Sequence, residues 1–166
     1  MIGDAIRLIL TNIPVILFVV ALAVPALRKS RRAEDYLAWL LLLSIGVQSV
    51  WAGVYHVFFP QTAAEFIGWQ VSPFQFEIGI ADIAVGITAI ISFWRPIEFK
   101  SAVVTLVAIF FVGLVYGHIH QVILTGDYAA GNAGALLVLT IVNAVLLVWL
   151  LAMARRAPAQ SAVRAV

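Results

Sequence analysis

The chain contains no cysteine. That excludes disulfides, thiolate-held metals, cysteine-ligated iron–sulfur clusters and thiol chemistry; any metal must rest on His, Asp, Glu or carbonyl oxygen. Charge is nearly as scarce. Asp, Glu, Lys and Arg make up 11% of the 166 residues and hydrophobic residues 64%. Mean hydropathy is +1.08, whereas a soluble domain carries roughly a quarter charged residues. This is the composition of an integral membrane protein. There is also no polar stretch long enough to link a second domain, and no HExxH-type local metal motif. The pI is about 9.3, but the basic residues sit at the ends of apolar runs, as membrane orientation signals do. A nucleic-acid partner is not expected.

What is present is a series of apolar runs. A helix needs about 20 apolar residues to cross a hydrocarbon core about 30 Å thick. Ala5–Leu27, Tyr36–Phe59, Pro73–Trp94, Ala102–Leu124 and Ala133–Ala154 qualify. Arg28, Lys29, Arg31 and Arg32 follow the first run instead of preceding it, so it reads as a retained helix and not a cleaved signal. Of the 10 Lys and Arg residues, all but Arg7 lie between runs one and two, between runs three and four, or in the tail. The connections Pro60–Ser72 and Thr125–Asn132 carry none.

The positive-inside rule then predicts an all-α, five-transmembrane-helix bundle, N-terminus outside and C-terminus cytoplasmic. Residues 1–157 form this single bundle and 158–166 a flexible cytoplasmic tail. Trp39, Trp94 and Trp149 near the inner ends, with Trp51 and Trp69 toward the outer side, read as aromatic belts. Residues 61–70 read as a short amphipathic lid in the interface plane, with Glu65 solvated. Ser72 before Pro73 reads as an N-cap, Gly126 as a C-cap and Asn132 as an N-cap for the last helix, with Asp127 exposed between them.

The few polar groups within the runs fall into layers. At 1.5 Å per residue, His56, Glu77, His118 and His120 lie roughly 5–10 Å below the outer surface. His118 and His120 are about 200° apart on their helix, so one site uses only one of them, and His118 shares a face with Gln121. A deeper layer holds Asn12, Gln48, Asp82 and Asn143. Amides there suit interhelical hydrogen bonding, whereas carboxylates such as Glu77 and Asp82 are costly in hydrocarbon and mark functional candidates. Gln75, Gly79, Asp82, Gly86 and Ala89 form one stripe of the third helix, and Glu77, Ala81, Ala84 and Thr88 another. Stripes of small residues suit contact with a second helix, of this chain or of a second copy in a homo-oligomer.

SPFQFEIGIAD at 72–82, IGW at 67–69, GHIHQ at 117–121 and GNAG at 131–134 resemble an uncharacterised family of prokaryotic membrane proteins. The resemblance spans most of the chain and implies a multi-pass protein of the prokaryotic cytoplasmic (inner) membrane. It implies Glu at Glu77, His at His118 and Glu or Gln at Gln121 as shared positions. The family more often has Asn where Asp82 stands and Tyr where His120 stands. No activity comes with it.

The sharpest expectation from the residues is a divalent metal site of His56, Glu77 and His118, supported by Gln121, Asp82, Gln75 and His120. Two imidazoles and one carboxylate suit zinc with an open position, or Fe(II). Such a site could activate water or oxygen, making the protein a membrane-embedded metalloenzyme. No haem, nucleotide or iron–sulfur cofactor is expected. Two other readings stay open. One is a metal-free Glu–His cluster lining a small-ligand pocket or proton path. The other is a structural bundle that assembles with a partner.

Overall fold

The computed structural model describes the backbone of residues 2–163 and the side chains of residues 12–156. Every regular element among the described residues is helical: α1 Ile2–Leu27, α2 Ala33–Phe58, α3 Pro60–Ile67, α4 Pro73–Ser92, α5 Ile97–Thr125, α6 Ala130–Ala133 and α7 Ala135–Val163. Four stretches, Ala33–Phe58, Pro73–Ser92, Ile97–Thr125 and Ala130–Arg156, are long and apolar enough to cross a membrane. The first run, counted as a span from the sequence, is apolar but shorter over its described residues, Asn12–Leu27. Arg7 lies outside the described side chains. Helix α7 continues to Val163, so the stretch expected to be a loose tail begins within it; 164–166 lie outside the described residues.

Local chemistry sets the breaks. Phe59 leaves helical geometry and Pro60 opens α3 at its first turn, where its missing N–H costs nothing. Gly68 ends α3 at φ 84°, a left-handed conformation that only glycine adopts without strain. Ser72 precedes Pro73 at the start of α4, as expected, but its side chain makes no capping bond. Within α2, Leu40–Val47 is wound as a π-helix and not an α-helix. Such wider turns are rare and shift the face presented by everything downstream.

The helices pack in two regimes. Toward the basic end of the bundle, Leu37, Leu40, Leu41, Ile45, Val85, Ala89, Val103, Val104, Val107, Leu147 and Leu150 form a closed core. That end is tied by charge: buried Lys100 lies 3.3 Å from Glu34 and also donates to the Arg95 carbonyl, while Arg32 pairs with Glu34 at 3.0 Å. Because lipid tails are as apolar as Leu, close backbone approach matters more here than hydrophobicity. A Cβ at Gly53 would stand 2.5 Å from the Gly79 carbonyl oxygen, and one at Gly86 2.7 Å from that of Gly46. The small-residue faces of α2 and α4 are thus spent on each other within one chain. Large apolar side chains such as Ile80, Ile87, Ile109 and Val112 point outward, as a lipid-facing surface requires.

Candidate functional site

Away from the basic end the helices part around a cavity of about 580 Å³. Its floor lies where the closed core stops. There Ser44, in the π-helical segment, donates its hydroxyl to Asn143 Oδ1 at 3.1 Å. Gln48 and Asp82 join them in lining the cavity. Phe111, Leu114, Leu136, Leu137, Leu139 and Ile78 form apolar walls, and Trp51, Tyr55, His56, Trp69, Gln75 and His118 surround the upper part. Gly113 and Gly117 also line it, and a Cβ at either would meet nothing within 4 Å. These two glycines create space instead of close packing. No Lys or Arg is among the described lining residues.

Around the mouth the connections are fastened to one another and to the neighbouring helices. His118 Nδ1 lies 2.7 Å from Asn132 Oδ1, and the Asn132 amide donates to the Asp127 carbonyl at 2.8 Å. Asp127 Oδ1 accepts the N–H of Ala129 at 2.9 Å and sits against Gly68, where a Cβ would be 2.6 Å from it. Gly131 abuts Phe66 of α3 just as closely, and Gln75 Nε2 donates to the Pro60 carbonyl at 2.8 Å.

Three buried polar atoms around the cavity have no partner among the described residues: Gln48 Oε1, His56 Nδ1 and Gln75 Oε1. The Gln75 assignment is fixed by chemistry, because a carbonyl at 2.8 Å demands the amide nitrogen and leaves the oxygen free. Asp82 is 9% exposed and makes no hydrogen bond or ion pair with any described residue. An unpaired polar group in an apolar enclosure costs about 1–3 kcal/mol by mutational measures. The cavity therefore holds unmet bonding capacity.

Several expectations change here. His56 and His118 both line the cavity, but Glu77 is exposed and not among its lining residues. The physical reason is helical phase. Gln75 and Gly79 are each two residues, about 200°, from Glu77, and once they face the cavity and α2, Glu77 must face away. Equal depth on three helices does not bring three side chains together. Among the described residues no group of three or more His, Asp and Glu is placed to hold a metal ion. His120 is exposed and stacks on Tyr116 at 5.6 Å, and Gln121 lies off the cavity, whereas Gln75 and Asp82 line it. Asp127, expected in solvent, is part-buried against Gly68, and Asn132, expected as an N-cap, is fully buried. Trp51 and Trp69, expected in an aromatic belt, line the cavity.

A model described as a family of unknown function (DUF6790) matches residues 5–160. The chain belongs to that family. No curated protein and no solved structure matches it. The DUF6790 assignment is consistent with the expectation of an uncharacterised family. In this DUF6790 chain those stretches meet in space: Gly68 and Trp69, His118, and Gly131 and Asn132 all gather at the mouth. The motif positions therefore carried a signal for Trp69 and Asn132 that composition and depth did not. The interhelical hydrogen bond expected of Asn143 is present, but nothing in the sequence marked Ser44 as its partner, or Phe111 and Tyr55 as cavity residues.

Proposed function

We propose that this is a multi-pass membrane protein that binds a small, largely apolar molecule in the cavity opposite its basic end. A single observation carries the reading: a space of about 580 Å³ bounded by several spans, with apolar walls and unmet polar atoms. Ligand sites typically have this size and this mix of apolar lining and few polar anchors. Gly113 and Gly117 support it, since each withholds a side chain that would have room.

In this reading α1 completes a five-span bundle, with the N-terminus and cavity mouth outside and the C-terminus in the cytoplasm. The partition of Lys and Arg supports that orientation, and the motif resemblance supports the inner membrane of a prokaryote. The protein in nanodiscs is titrated with 1-decanol and its melting temperature followed. A saturable rise is expected in the parent and none in Gly117→Leu, whose side chain fills the space. A rise of equal size in both proteins would mean bilayer partition alone and would end the cavity reading.

A further inference from the structure

Resting on the cavity reading above, we infer that the molecule it selects carries a cationic, hydrogen-bond-donating head, an ammonium on an apolar body, held at Asp82. The first support is the sign of what is unmet. Gln75 Oε1, with its amide nitrogen committed to Pro60, can only accept, and so can Asp82 when it is ionised. Both side chains are more than nine-tenths buried and line the cavity. Neither accepts a hydrogen bond from a described residue, and no Lys or Arg lines the space among the described residues. His56 Nδ1 adds a further acceptor in the neutral tautomer that protonates Nε2.

A ligand that satisfies this set must bring donors, and one that balances a carboxylate must bring positive charge. The walls fit the same ligand. Trp51, Tyr55, Trp69 and Phe111 border the cavity, and aromatic faces attract alkylammonium groups while accommodating a hydrocarbon body. An anionic amphiphile would set its head against Asp82 with no compensating cation. A neutral alcohol would satisfy one acceptor and leave the charge unbalanced.

Decylammonium, 1-decanol and decanoate share one tail and differ in the head. Each is titrated into nanodisc-embedded protein, with signal persisting in Gly117→Leu subtracted as bilayer partition. Decylammonium is expected to bind at least about tenfold more tightly than decanol, the ratio of one charge-assisted contact, and decanoate least. In Asp82→Asn the preference should collapse toward parity while saturable decanol binding persists. Equal binding of amine and alcohol to the parent, or a preference that survives Asp82→Asn, overturns the assignment of ligand class and leaves the cavity reading standing. Absence of saturable binding by all three defeats both. If Asp82→Asn does not fold, the parent's own order of affinities decides.

Discussion

Trp69 lies over the His118 imidazole, with ring centroids 5.4 Å apart and planes tilted by 31°. The two come from different parts of the bundle, Trp69 from the segment after α3 and His118 from helix α5, about two turns before its C-terminal end. Because His118 is simultaneously held by Asn132, the stack fixes the α3 lid to the α6 loop across the mouth of the cavity. The rim of the mouth is thus fastened by His118 of α5 to the connections that carry Trp69 and Asn132, and not by the closed helical core.

Asn132 should be the most sensitive residue of that network. Its side chain is fully buried, accepts from His118 Nδ1 at Oδ1 and donates to the Asp127 carbonyl. Asn132→Leu strands the Asp127 carbonyl, at an expected cost of about 1–3 kcal/mol. The check is thermal unfolding in detergent, in which His120→Ala should be close to neutral. If Asn132→Leu melts with the parent, the network is decorative.

Glycines of opposite role should respond oppositely to one methyl group. Gly79→Ala places a Cβ 2.8 Å from Val57 and 2.9 Å from His56 and should lose about 1–3 kcal/mol through overpacking. Gly113→Ala meets nothing and should fold as the parent does. A melting curve for each variant tests the pair, and reversal of their order would mean that α2 and α4 do not touch at these residues.

Glu77→Gln should leave stability within about 0.5 kcal/mol of the parent, as expected for an exposed position away from packed features. Zinc added to chelator-treated parent should not raise its melting temperature. A zinc-dependent rise that Glu77→Gln abolishes would instead restore the metal site expected from sequence, with Glu77 turned inward.

Orientation can be tested cleanly because the chain has no cysteine of its own. Glu65 and Arg31 are both exposed, on connections at opposite ends of the bundle. In intact cells a membrane-impermeant maleimide should label Glu65→Cys and spare Arg31→Cys until the membrane is opened. The opposite pattern would place the cavity mouth in the cytoplasm.

The primary sequence determined this protein's class and the axial position of its polar groups. Apolar runs of membrane-crossing length, interrupted by charge and glycine, leave little besides helices, and the rise per residue converts sequence position into depth. That was enough to group Asn12, Gln48, Asp82 and Asn143, of which the last three line one cavity. Rotation about each helix axis was left to the tertiary structure. Helical phase depends on which stripe a neighbour accepts, and α4 offered two. The close approach of Gly79 and Gly86 to α2 selected one of them, turning Gln75 and Asp82 inward and Glu77 out. The π-helical turns at Leu40–Val47 and the coupling of distant loops through Asn132 likewise arise from packing between segments far apart in the chain, where no local pattern records them.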